Sequence, residues 1–387
     1  MPESHFLANG FYSLPCLGEC RMASVRKDNK ARTFAPAGVI FAVLGLALFA
    51  YFVKRAGVSQ ILEGIERLGI AFVLVLAISA VRHMARSLAW IKCFEPPYKL
   101  RFRDALGARL MGDALGNIVP LASVAIAEPS KAAFVRDRVP LIAGLSAIAL
   151  ENIFYSLSVA VFVFSGTTAL LLSFHLPKAL RYASIVALIV ISVITPLGFL
   201  VMQRQWRFLS GALSFTHRRF PARTGLIGAV PRAKTLEDRI YGFYDRNRGA
   251  LLAILALEAS FHLAGIAEIY VVLWYISDAV APTLLTAFIL ESVNRIINVA
   301  FKFVPLRTGV DEAGTGMLSR VLGFTTAIGV TLAIIRKARD IFWAMVGIAL
   351  IVRKGLSIGN AAERVEEVVA EASSGVETSE IQAGEST

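Results

Sequence analysis

GDALGNIVPLASVAIAEPSK at residues 112–131 and ESVNRIINVAFKFVPLRTGVDE at residues 291–312 are the two stretches that decide how this chain folds. Each sets carboxylate, amide and basic groups beside a proline, inside sequence that is otherwise apolar. Hydrocarbon accepts little but a clean helix, so such groups need protein or water as partners. Both stretches are therefore expected in the interior of a membrane bundle, lining a path or a pocket. They also resemble one another: Val119-Pro120-Leu121 precedes Glu128, and Val304-Pro305-Leu306 precedes Glu312. Matches this short arise by chance in a Leu/Val-rich chain, so a chance likeness and a genuine internal repeat both stand at this point. In a genuine inverted repeat, the paired broken segments would mark a midplane site.

The rest of the chain places them in that setting. Of 387 residues, 56% are hydrophobic, and the mean hydropathy is +0.64. The fold class is all-α: a polytopic membrane bundle with two broken or re-entrant polar segments. Only 18% of residues are charged, yet the net charge is +12, and the basic residues cluster between apolar tracts. Topology and anionic lipid explain that placement; with no recognition module present, nucleic acid is not expected as a partner. Cys16, Cys20 and Cys93 form neither a disulfide framework nor a zinc site, and five scattered histidines add no metal constellation. No cofactor and no metal are expected.

Taken in order, residues 1–33 are a basic segment expected to stay cytoplasmic without a removable signal, and residues 34–53 are the first crossing. A surface helix over 54–67 leads to a span over 68–89, where His83 and Arg86 are expected to snorkel to the interface beside an anchoring Trp90. Residues 105–135 read as two half-spans, a re-entrant hairpin, or a helix plus a short amphipathic one, with a surface loop as the alternative. Asp113 and Asn117 share a helical face there, and Glu128 can pair with Lys131. The next crossing, 141–172, holds Glu151 and Asn152 near its middle, facing inward because an ionised acid at the centre of the bilayer costs about 2.5–3.5 kcal/mol.

The chain returns over 182–201 into a basic connector, 203–248. Ten Lys/Arg against three Asp/Glu between Arg204 and Arg248 place this connector in the cytoplasm. A Gly/Pro-containing loop is expected in its middle and an amphipathic helix over 235–244. Residues 249–274 cross again, with Glu258 and His262 one turn apart and expected to pair. In the second broken region Glu291, Arg295 and Asn298 fall on one face with Asn294 adjacent, and Arg307 and Glu312 follow. Arg336 precedes a short final apolar segment, 341–352. The tail, 353–387, is acidic, with seven glutamates, and is expected to be disordered.

Asn117, Pro120, Glu128, Glu151, the Val304-Pro305-Leu306 break, Gly309 and Glu312 together resemble the lysylphosphatidylglycerol synthase transmembrane, or flippase-like, family. The P-x-x-x-G-x-x-E arrangement at Pro305, Gly309 and Glu312 carries most of the likeness, which extends over most of residues 34–352. The later stretch is poorer in Pro and Gly than is usual for the family. The resemblance implies a bundle that moves a phospholipid, a polyprenyl-phosphate-linked lipid or a hopanoid-type lipid between leaflets. It makes Asn117, Glu128, Glu151 and Glu312 the leading lipid-path residues, with Arg295 and Arg336 as head-group contacts. Lysine transfer is not expected, since lysyl-transferring relatives carry a soluble domain and this chain ends soon after residue 352.

The path expected across the whole chain comprises Asp113, Asn117, Glu128, Lys131, Glu151, Asn152, Glu258, His262, Glu291, Asn294, Arg295, Asn298, Arg307, Glu312 and Arg336. The expected partners are an anionic phospholipid or isoprenoid lipid and a protein of envelope biosynthesis, in a bacterial inner membrane with the N-terminus cytoplasmic. Two other classes stand beside transport. One is a membrane enzyme acting on a phosphorylated isoprenoid through Glu128, Glu151, His262 and Glu312; the other is an accessory scaffold. No Walker, zinc, serine-elbow or diphosphate-metal motif accompanies the enzyme reading.

Overall fold

The computed structural model describes residues 51, 54, 58–118, 123–219, 225–277, 279–301, 304 and 307–354. The crossing expected at 34–53 and the tail expected over 353–387 lie almost wholly outside them, as do Pro120 and Pro305. Among the described residues there are helices and no strands: α1 Val58–Leu68, α2 Ala71–Lys92, α3 Phe102–Ile118, α4 Ser123–Ala133, α5 Leu141–Ser173, α6 Lys178–Gln203, α7 Phe208–Arg219, α8 Gly225–Arg246, α9 Arg248–Ile276, α10 Leu284–Ala300, α11 Val310–Val321 and α12 Thr326–Arg353.

Four of these, α2, α5, α6 and α9, are long and apolar enough to cross a bilayer. At about 1.5 Å per residue even the shortest, the 22-residue α2, reaches about 33 Å. The final helix is longer than the sequence indicates. Instead of a short apolar run over 341–352, α12 is one 28-residue helix, capped where the Thr325 hydroxyl accepts from Ile328 N–H at 3.3 Å. Arg336, Lys337, Arg339 and Asp340 lie within it, and the helix continues through them because each finds a partner inside the bundle.

Two apolar cores hold the bundle together at opposite ends. One gathers the C-terminal end of α2 (Ala89, Trp90), α3, α4, the first turns of α5 and α9 (Ile148, Ile254) and the C-terminal end of α12 (Ile351). The other gathers α1, the N-terminal end of α2 (Val75), the far ends of α5 and α9 (Leu170, Leu273), α10, α11 and the N-terminal half of α12 (Leu332, Ile335). The long helices α2, α5, α9 and α12 contribute to both cores, and between the two contributions each carries its charged residues. Arg82, His262 and Arg339 fall at the midpoints of α2, α9 and α12. The result is a polar belt at half-depth between two apolar layers.

The shorter helices α3, α4, α10 and α11 each join one core only. α3 and α4 contribute only to the first core, and Lys131 Nζ reaches back to Asp113 Oδ1 at 3.0 Å, so the two pack side by side on either side of residues 119–122. α10 and α11 contribute only to the second core and also pair across their break. Both pairs rest on α12. Gly329 lets its backbone approach α11 at Thr315 and Gly316, and Gly347 does the same for α3 at Leu110 and Ala114.

Two local expectations are corrected. Trp90 is fully buried in the first core, not an interfacial anchor, and Arg86 turns inward to a carboxylate instead of snorkelling. The Gly/Pro-containing loop expected in the middle of the 203–248 connector is helical from Gly225 onward, while residues 220–224 lie outside the described residues. Pro231 lies inside α8, and the buried Ser210–Glu237 hydrogen bond at 2.6 Å ties α7 to α8. Arg246 then fastens the connector to Glu95, beyond α2, at 2.8 Å.

Candidate functional site

The belt is built from three linked groups of charges. In the first, Glu151 from α5 is fully buried and its Oε1 accepts from Arg86 Nε of α2 at 2.6 Å and from Arg109 Nη2 of α3 at 3.0 Å. Arg86 also donates to Asn152 Oδ1 at 3.2 Å, and Asn152 donates to Glu128 Oε2 at 2.8 Å. Glu128 accepts from Lys131 at 2.9 Å, and Lys131 bridges to Asp113. Three cations thus hold three carboxylates, and the order Glu151, Arg86, Asn152, Glu128, Lys131, Asp113 ties four helices together. Buried ions are tolerated only with such close, multiple partners.

The second group centres on α9 and α10. Glu268 accepts from Arg82 of α2 at 3.0 Å and from Arg339 of α12. Glu291 pairs with Arg295 one turn on and with Arg82 at 3.4 Å. Its carboxylate fits because α9 has Gly265 there; a Cβ would stand 2.6 Å from Glu291 Oε1. Asp340 is shared by Arg339 at 2.7 Å and Arg307 at 3.3 Å. Four guanidiniums therefore face three carboxylates, leaving one positive charge in excess. Arg82 and Arg295 both lie over the Phe261 ring, at 4.7 and 4.8 Å, and Arg86 lies 3.7 Å from the centre of the Tyr155 ring. Tyr155 packs edge-on against Phe261 at 5.5 Å, so two rings join the first group to the second.

In the third group, Glu312 accepts from Gly309 N–H at 2.7 Å at the start of α11 and from Lys337 of α12. Gly309 has φ +84°, a backbone state that suits glycine. Arg336 donates to Thr315 at 2.6 Å and to Asp311 at 3.3 Å. With its amide oriented by these neighbours, Asn294 donates to Asp311 at 3.3 Å and accepts from Arg336 at 3.2 Å.

Most of the residues expected along a path are thus brought into one belt. The Glu128–Lys131 and Glu291–Arg295 pairs form as their spacing indicates. Asn117 lies on α3, with its side chain outside the described residues, and Asn298 has a buried Oδ1 with no partner among them. The expected Glu258–His262 pair does not form. His262 Nε2 lies 3.1 Å from Ser158 Oγ and its ring stacks on Phe162 at 4.3 Å, so α5 claims the imidazole and neither Glu258 oxygen has a hydrogen-bond partner among the described residues.

Sequence reasoning missed Arg82, Arg86, Arg109, Glu268, Asp311, Lys337, Arg339 and Asp340 as members of the belt. The available signal was the position of Arg82, an ionisable residue in the middle of an otherwise apolar span, where a buried partner is the default expectation. Among the described residues, no group of histidine, cysteine and carboxylate side chains is placed to hold a metal. A separate cavity opens at the far end, between Gly64 and Arg67 of α1 and Ile328 and Thr331 of α12, away from the belt.

Residues 37–348 match the family described as the lysylphosphatidylglycerol synthase TM region. The match covers most of the chain, and the protein belongs to that family as a multi-pass membrane domain. Neither curated proteins nor solved structures provide a match.

Proposed function

We propose that this domain moves a lipid with an anionic phosphate head group between the leaflets of a bacterial inner membrane, using the belt as a half-depth stop. The observation that carries this reading is the excess positive charge of the Arg82, Arg295, Arg339 and Arg307 group beside Phe261. An anion arriving there meets charge-assisted donors already held in place, which avoids exposing its own charge to hydrocarbon. Arg295 Nε and Arg336 Nε are buried without an acceptor among the described residues, an arrangement that favours an incoming oxygen over an apolar ligand.

Phospholipid, polyprenyl phosphate and hopanoid-type lipids with a phosphate all satisfy this chemistry. The two short helix pairs are read as re-entrant hairpins entering from opposite faces, α3–α4 from the cytoplasm and α10–α11 from the outside. This assignment is supported by the basic residues that gather near the first core: Arg136 and Arg138 before α5, Arg246 of the connector, and Lys354, which reaches Phe134 O at 3.2 Å. It also puts the N-terminus in the cytoplasm if residues 34–53 cross once.

The test is a proteoliposome assay with sided, head-group-labelled phospholipids and polyprenyl phosphates. Protein-dependent leaflet exchange of at least one anionic lipid is expected. Correctly inserted protein that moves none of them, with or without envelope-biosynthesis partners, overturns the reading.

A further inference from the structure

Glu258 belongs to none of the three groups. It lies on α9, one turn before His262 at that helix's midpoint, and is 1% exposed. The groups facing it from neighbouring elements are Arg86 of α2, Cys93 just beyond that helix, Arg109 of α3 and Glu151 of α5, with His262 on its own helix. Both arginines are committed elsewhere: Arg86 to Glu151 and Asn152, Arg109 to Glu151 and the Arg86 carbonyl. Farther along α9, Glu291 and Arg295 of α10 hold each other, and Arg339 of α12 holds Glu268. α1 and α8 join α9 in the two end cores. Ser158 of α5 also stands beside Glu258, but its hydroxyl donates to Tyr155 O at 2.8 Å and meets His262 Nε2 at 3.1 Å. Neither Glu258 oxygen has a hydrogen-bond partner among the described residues, and His262 Nδ1 is likewise buried without one.

An ionised carboxylate at half-depth without a single hydrogen bond is the arrangement hydrocarbon tolerates least, whereas a neutral acid is tolerated.

We infer that Glu258 is a proton-binding site that sets the belt's charge: with the proton bound the belt keeps its one positive charge in excess and accepts an anionic head group, and with the proton gone the belt is neutral and releases it. Proton and lipid anion then occupy the belt together, as a neutral pair. The step makes and breaks only the Glu258 O–H bond, with the proton exchanged with water. This inference rests on the lipid reading above for its second half alone.

Two measurements on the purified full-length protein separate the halves. Infrared spectroscopy in detergent at neutral pH is expected to show the carbonyl stretch of a protonated, buried carboxylic acid that is lost in Glu258→Gln. Absence of the band in the wild type, or its persistence in the variant, overturns the proton site whatever the variant's stability. Binding of phosphatidylglycerol is then followed against pH. Affinity is expected to fall at least tenfold as the infrared band titrates away, and to lose that dependence in Glu258→Gln. An unchanged pH profile in the variant overturns the coupling. If phosphatidylglycerol and polyprenyl phosphate bind at no pH while the infrared band behaves as expected, the coupling and the lipid reading are overturned and the proton site stands.

Discussion

Glu151 shows what a single residue contributes to this bundle. It accepts from two guanidiniums on two other helices, so its loss leaves two buried cations short of an acceptor. Glu151→Ala is expected to cost about 3–5 kcal/mol, read as a lowered thermal-unfolding midpoint in detergent. Glu151→Gln, which keeps the shape and one acceptor oxygen, is expected to fold and to slow lipid movement in the sided proteoliposome assay; unchanged movement would remove Glu151 from the path.

Which of these contacts could be read in advance follows from distance along the chain. Glu128–Lys131 and Glu291–Arg295 are three and four residues apart, and helical spacing alone brings them together. Arg86–Glu151 and Arg82–Glu268 are separated by 65 and 186 positions, which no local spacing encodes. For His262 the spacing misled, because Ser158 and Phe162 of α5 compete with Glu258 for the ring.

Among the elements, α12 departs furthest from its sequence reading. Hydropathy divides it at its four central charges, whereas the helix is continuous because α9 and α11 supply acceptors to the cations and Asp340 is itself held by Arg307 and Arg339. A crossing such as α9 was legible to within two residues, since its apolar run carries only the isolated Glu258, His262 and Glu268 and no proline. The packing of α12 against α3 gives a sharp test. A side chain at Gly347 meets the Leu110 carbonyl and Ala114, so Gly347→Leu is expected to destabilise by about 1–3 kcal/mol. Gly107 of α3 has open space around it, and Gly107→Ala is expected to stabilise by about 0.5–1 kcal/mol through helix propensity alone. Thermal unfolding of both variants beside the wild type reads the difference in sign.

Across the whole molecule, the two cores define two faces. Glu63 of α1 and Asp238 of α8 are exposed at opposite ends. Glu63→Cys and Asp238→Cys, placed in a chain lacking Cys16 and Cys20, are expected to react with a membrane-impermeant maleimide from opposite sides of sealed vesicles. Labelling of both from one side would contradict the assignment of faces. The exposed ion pairs lost in these variants contribute little, so the fold is expected to persist.

The order of synthesis gives the charges of α12 a further meaning. Asp311, Glu312 and Glu268, which hold Arg336, Lys337 and Arg339, all precede that helix in the chain, so the nascent polypeptide has already delivered its acids when the last cations emerge. Each such cation at mid-helix opposes release from the translocon into lipid by about 2.5–3.5 kcal/mol. α12 fused alone to an insertion reporter is therefore expected to integrate poorly, and the same helix behind its native upstream sequence to integrate well. Biogenesis of this protein would then be sequential, its final crossing admitted only by the partners made before it.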